Sequence, residues 1–266
     1  MSTSDEARGE LINAGQAIRD GARAGLRNLH RYVVVFILYI FAVFLGICTC
    51  IGWIPLVPLV AFGLWAFSLN TLDGQAPISS LWSGFSSFVD VFVRAGLLIL
   101  LLAVLMFPGI FAAILLGAAQ SFVDGGMWTL VTLLLVFLPL IWSFAIVRFM
   151  MAPYFVVEQG LSAIDALKRS LAITEGGWVP MLKIQAAISL IILPGNIGMQ
   201  FGQPYIQQAT EILETGAYPD AAIQPMLIGL GIMGLSYLLL MLSSAITAAI
   251  LPAAYRQLVP KPEPTA

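Results

Sequence analysis

Six stretches of about twenty residues carry no Asp, Glu, Lys or Arg: 32–51, 53–72, 95–117, 127–147, 184–203 and 226–251. About twenty apolar residues is the length an α-helix needs to cross a hydrocarbon core of roughly 30 Å. A charge at the centre of such a helix costs about 2.5–3.5 kcal/mol, so six clean windows point strongly to a bilayer. Inside lipid a backbone N–H or C=O finds no water, and each window is therefore expected to be helical. The chain reads as an all-α polytopic membrane protein with six transmembrane helices. Composition agrees, with 60% apolar and 10% charged residues against about 25% charged in a soluble domain.

The basic residues orient the six spans. Arg8, Arg19, Arg23, Arg27 and Arg31 precede the first, and Arg94 lies between the second and third. Arg148, Lys168, Arg169 and Lys183 lie between the fourth and fifth, and Arg256 and Lys261 follow the sixth. The alternate loops, around Cys50, Asp124 and 211–220, hold none and are acidic instead. Cytoplasmic loops carry the Lys and Arg excess, which places both termini in the cytoplasm. The expected organisation is an amphipathic cytoplasmic helix over 1–31, a six-helix transmembrane domain over 32–255 and a proline-rich cytoplasmic tail over 256–266. The first apolar run follows 31 mostly polar residues and reads as a signal-anchor rather than a cleaved leader. Cys48 and Cys50 are too few for a disulfide framework, and with no nearby histidine or third thiol they read as packing residues, not a metal site.

Each odd-numbered span is preceded by a segment of helical amphipathicity. In 6–30, Leu11, Ile18, Ala22, Leu26 and Leu29 share one face, and Arg19, Arg23, Arg27 and Arg31 stripe another at four-residue intervals. In 78–92, Leu81, Phe85, Phe88 and Phe92 recur at helical spacing. The third segment, 163–175, opens on Ser162-Ala-Ile-Asp165, a capping box, and closes on Gly176-Gly177, which tolerates a left-handed cap. Asp165 and Arg169 stand four apart in the favourable order. Pro153 is expected to end or bend the fourth span. Pro108-Gly109 and Pro194-Gly195 are expected to break spans three and five, and 204–215 is expected to form a separate interfacial helix on the outer face. Gly198-x-x-x-Gly202 and the small residues of span six suit close helix approach, within the bundle or between copies.

One stretch carries a resemblance. RFMMAPYFVVEQGLSAIDALKRS over 148–170, followed by Thr174-Glu-Gly176, resembles the signature of a bacterial multi-pass membrane family. That family is related to the membrane domain attached to some glycerophosphodiester phosphodiesterases. The matching positions are Ala152, Pro153, Glu158, Gly160, Ser162, Ala166, Lys168 and Ser170, and Leu81-Trp-Ser-Gly-Phe85 resembles a second element. The resemblance implies a bacterial inner-membrane location and a helical architecture more than an activity. A phosphodiesterase of that kind needs a soluble barrel with catalytic histidines, whereas this chain has one histidine, His30, and no long soluble stretch.

The chemistry available is narrow. No His-Glu-x-x-His, G-x-S-x-G or phosphate-cradling Gly-Lys-Ser/Thr occurs, and the spans offer no acid, base or metal-ligand set. No cofactor and no nucleic-acid partner is implied. The features that remain are basic: Arg19, Arg23, Arg27, Arg31, Lys168 and Arg169, placed where an anionic leaflet would meet them. The expected role is a non-enzymatic accessory or scaffold protein that organises membrane lipids, another membrane protein or a homo-oligomer. The alternative is a transporter or channel for an uncharged or amphiphilic solute, built on the broken helices.

Overall fold

A computed structural model describes residues 12–48, 53–74, 77–119, 147–215 and 219–259, and every element among them is helical. In order these are α1 (Ala14–Arg27), α2 (Leu29–Cys48), α3 (Trp53–Leu72), a 3-10 helix (Ile78–Trp82), α4 (Ser83–Ser86) and α5 (Phe88–Ala119). Then come α6 (Ala152–Gln159), α7 (Ala163–Ile173), α8 (Trp178–Glu214), α9 (Pro219–Ala248) and α10 (Ile250–Leu258). The fourth expected span lies outside the described residues except for Val147, as do Leu11, Arg8, Cys50, Asp124 and Lys261.

Three helical windows are long and apolar enough to cross a membrane: Phe88–Leu105, Trp178–Glu214 and Ala221–Leu258. The bent pair Ala14–Arg27 and Leu29–Ala42 makes a fourth if counted as one span, and Leu56–Leu72 is a shorter apolar helix. In the apolar 18-residue core of each, only 17% of residues are buried by protein. Helices that are apolar all round and so little covered belong in hydrocarbon, not in water. The large core sits elsewhere, at one end of the molecule. There Ala17 of α1, Leu69 of α3, Leu98 of α5, Phe155 of α6, Ile184 of α8 and Tyr255 of α10 converge.

Several sequence expectations are corrected. The segment 78–92 is not one amphipathic helix, because its serines divert it. The Ser80, Ser83 and Ser86 hydroxyls donate to the carbonyls of Pro77, Ser80 and Ser83 at 2.8, 2.6 and 2.7 Å, local bonds that compete with a regular helix. Phe88 and Phe92 instead open α5, which continues into the third span and through positions 108–109. Pro194-Gly195 does not break span five: α8 runs through Pro194 and Pro204 as one helix of 37 residues, or about 55 Å. The segment 204–215 is accordingly the far end of α8 rather than a separate helix. Pro153 stands in the first turn of α6, where its missing N–H leaves no bond unmade, and the span it was expected to end or bend lies outside the described residues except for Val147. Finally, the proposed tail from 256 is helical to Leu258 and tied into the core end.

The sequence left open which side of α1 meets protein. Its buried residues are Ala14, Ala17, Gly21 and Gly25, while Leu26 of the leucine sector is 55% exposed. A Cβ on Gly21 would stand 2.7 Å from the Ala249 carbonyl oxygen, and one on Gly25 would stand 2.5 Å from that of Ala245. The helix therefore docks backbone to backbone on the α9–α10 junction, and its small residues face protein with Ile18 beside them, whereas Leu26 does not. Asn13 caps it, accepting from the Gln16 N–H at 2.9 Å. Its own N–H donates to Gln257 Oε1 at 2.8 Å, joining residues 244 apart.

Gly25→Val is expected to undock α1, with a cost of about 1–3 kcal/mol for overpacking. Hydrogen exchange over 14–27 should rise sharply while α8 and α9 keep their protection. Gly15→Ala, whose new methyl would meet only the Asn13 side chain at 3.5 Å, should leave exchange unchanged or lower it.

Candidate functional site

Charged side chains at the core end are few, and three of them meet. Arg256 of α10 donates through Nη2 to Asp73 Oδ2 at 3.1 Å and through Nη1 to Glu158 Oε1. The second oxygen of Glu158, Oε2, accepts from the Tyr255 hydroxyl at 2.7 Å. The three charged side chains are 13–16% exposed, so water screens them little and the pairing is much stronger than at a surface. Tyr255 is held by Tyr154 and Phe155 of α6, with ring centroids 5.6 and 5.1 Å away, and its own ring lies under the Arg256 guanidinium. Complete burial pushes the neighbouring Tyr154 phenol well above its ordinary range, so it stays neutral. A cavity of about 350 Å³ opens beside the cluster, with Asn70 and Ser83 also on its wall.

The segment 148–174 builds one junction around this cluster. Ala152, Pro153 and Ala166 are buried, and Glu158 is the clasp to Arg256. Gly160 ends α6 in the left-handed region, φ 62°, and its carbonyl accepts from Arg94 of α5, which also pairs with Asp90 at 2.8 Å. Ser162 caps α7, accepting from the Asp165 N–H at 3.2 Å. The Asp165 carboxylate accepts from the Ser162 hydroxyl at 2.6 Å, a variation on the expected capping box. Ser170 is fully buried and donates to the Arg148 carbonyl at 2.6 Å. The Arg148 guanidinium in turn donates to the Leu171 carbonyl at 3.3 Å. Lys168 and Arg169 point away from all this and are exposed.

The arginine stripe is brought to a second cavity. Helices α1 and α2 meet at 78°, and Asn28 makes the bend. Its side-chain N–H donates to the Ala24 carbonyl at 3.0 Å, and its own carbonyl accepts from the N–H groups of Arg31 and Tyr32 at 2.9 and 3.0 Å. The elbow encloses about 400 Å³ lined by Arg23, Arg27, His30 and Arg31, with Thr71 and Gly74 from the end of α3. Arg19 belongs to a neighbouring cavity at the start of α1 instead. Gly74 adopts φ 75°, a turn conformation that favours glycine. Sequence reading found the stripe but not the clasp: Asp73 was not singled out, and nothing in the sequence links it to Arg256.

No family model matches this chain, and neither a curated protein nor a solved structure is similar to it.

Arg256→Gln is expected to destabilise the protein by about 3–5 kcal/mol, because two largely buried carboxylates then lose their counter-charge. Thermal unfolding in lipid nanodiscs checks this. The change should be partly restored by Asp73→Asn and Glu158→Gln together, whereas a merely steric role for Arg256 predicts that the losses add.

Proposed function

We propose that this chain is a non-enzymatic integral protein of a bacterial inner membrane, six helices with both termini cytoplasmic, that organises lipids or partner proteins at the inner leaflet. The observation that carries the reading is the docking of α1. Its Gly and Ala face is committed to the α9–α10 junction, which leaves Arg19, Arg23 and Arg27 outward and Leu26 uncovered. A helix whose exposed side carries three arginines and an uncovered leucine, fixed at the end of an apolar bundle, suits the plane of an anionic headgroup layer. The orientation has support from the same region. Asn13, Asp73, Arg94, Arg148, Glu158 and Arg256, drawn from the segments assigned to the cytoplasm, are linked by hydrogen bonds and packing at one end. The resemblance to the phosphodiesterase-associated membrane family is part of this reading, since its distinctive residues build that same end.

Transport through broken helices has less to stand on, because α8 passes Pro194-Gly195 without a break.

The test is extraction of the protein with its surrounding membrane, without detergent exchange, followed by mass analysis of what is retained. The wild type is expected to hold anionic lipid or a second polypeptide at fixed stoichiometry, above its abundance in the membrane. Replacing Arg23, Arg27, Lys168 and Arg169 with Gln should reduce that retention several-fold at unchanged protein level. A retained composition equal to the bulk membrane in both forms would sink the reading.

A further inference from the structure

We propose that the elbow between α1, α2 and the end of α3 is a binding site for one phosphate group, carried by a lipid head group or by a soluble phosphomonoester. For the lipid source the proposal rests on the inner-leaflet role above and gives it a specific ligand.

The composition of the wall comes first. Arg23, Arg27 and Arg31 all line the cavity, His30 joins them, and no Asp or Glu among the described residues does. Arg31 also engages another group of the protein, so Arg23 and Arg27, both exposed, supply most of the charge on offer. Guanidiniums gathered around one space repel each other, and an anion within that space converts the repulsion into attraction. Guanidinium is also the cation whose planar fork fits phosphate oxygens two at a time. The neighbouring cavity shows the contrast: it is of similar size, about 390 Å³, yet Asp20 stands there among Arg19 and Arg23. Arg23 borders both cavities, and the described acid that stands near it lies on the wall of the other one.

Geometry adds to charge. On a straight helix the stripe would project its arginines side by side into solvent. The bend at Asn28 instead makes α2 contribute Arg31 and His30 to the same space as Arg23 and Arg27, and the turn after Thr71 closes its far wall. The bend is pinned by three hydrogen bonds to Asn28, so the space exists before any ligand enters, which lowers the cost of binding. At about 400 Å³ the cavity is near the lower end of small-molecule sites. Its side chains are mainly polar, so it suits a head group and not an acyl chain. Exposed apolar side chains for a tail stand on the same two helices, at Leu26, Val34 and Ile37. A phosphomonoester, with more charge on more free oxygens than a phosphodiester, is the better match to a wall whose described residues hold several cations and no acid.

The experiment uses the full chain in phosphatidylcholine nanodiscs doped with either phosphatidic acid or phosphatidylglycerol at matched surface charge. Native mass spectrometry counts retained lipid. Phosphatidic acid is expected to be retained about tenfold better, the scale of one charge-assisted contact. Arg23→Gln and Arg27→Gln should each abolish that preference, and Arg27→Lys should lose most of it, because a lysine keeps the charge but not the fork. Arg19→Gln should keep it. In a parallel arm glycerol 3-phosphate is titrated into undoped nanodiscs. Binding there with the same order of variants, and no retention of phosphatidic acid, upholds the phosphate site and assigns it a soluble ligand. Equal retention of the two lipids, with Arg19→Gln and Arg27→Gln equally weak and Arg27→Lys equal to wild type, overturns the site while leaving the general inner-leaflet reading intact. No enrichment of any anionic lipid and no binding of glycerol 3-phosphate overturns the site and the lipid form of that reading together.

Discussion

Arg256 is the one side chain on which the core end of the molecule turns. Its two bonds reach Asp73 at the end of α3 and Glu158 near the end of α6, and its own helix is the platform on which α1 lies. Taking a guanidinium and two carboxylates largely out of water costs several kcal/mol per ion unless each finds a partner. Here each partner comes from a different helix. The arrangement is stable only when all three helices are in place, so the charges enforce a geometry that apolar packing alone would leave loose. The bonds between Asn13 and Gln257 complete the closure, because they set the two described ends of the chain side by side.

The remainder of the bundle obeys a different physics. Lipid tails are as apolar as leucine, so helices at membrane depth gain little from hiding leucines and must gain from close contact. The α8–α9 hairpin shows this. Gly195, Gly198 and Gly202 lie against Leu240, Ser236 and Met233, and a Cβ on Gly202 would stand 2.5 Å from Met233 Cγ. Gly198-x-x-x-Gly202 is therefore used within the chain, whereas Gly231 and Gly234 meet nothing within 4 Å. Leu190, Phe201, Leu227 and Leu235 of the same hairpin are 60–67% exposed, which in hydrocarbon is no penalty. Polar bonding is gathered at one end, and small-residue contact does the work along the spans.

What the sequence made legible follows the range of each interaction. Local signals were readable because cause and effect lie within a turn: the Ser162 cap, the left-handed stop at Gly160 and the apolar windows that became α5, α8 and α9. The expected break at Pro194 failed because a proline removes one hydrogen bond and a helix packed along α9 can absorb that loss. The protein-facing side of α1 was not legible for a subtler reason. Hydrophobic periodicity ranks leucine above glycine, yet the neighbour's backbone, not its side chains, was what α1 had to meet. The clasp was invisible because Asp73 and Arg256 are 183 residues apart, and no periodicity connects them. The arginine stripe was plain in the sequence, but its conversion from a stripe into a cavity depends on the bend at Asn28, a single residue without a distinctive pattern around it.

The cavity and the clasp are not independent features. The turn that ends α3 serves both, with Thr71, Leu72 and Gly74 on the wall of the elbow and Asp73 on the wall of the cavity beside Arg256. Adjacent residues thus face opposite ways, one side toward a cluster of cations and the other toward a paired guanidinium. The left-handed Gly74 gives the backbone the freedom to make that reversal over so few residues. Helix α1 closes the loop between them, since it supplies Arg23 and Arg27 to the elbow and is itself held by Gly21 and Gly25 against the α9–α10 junction from which Arg256 projects. The elbow and the clasp therefore share one short segment, 71–74, which stands between the first and last described helices of the chain.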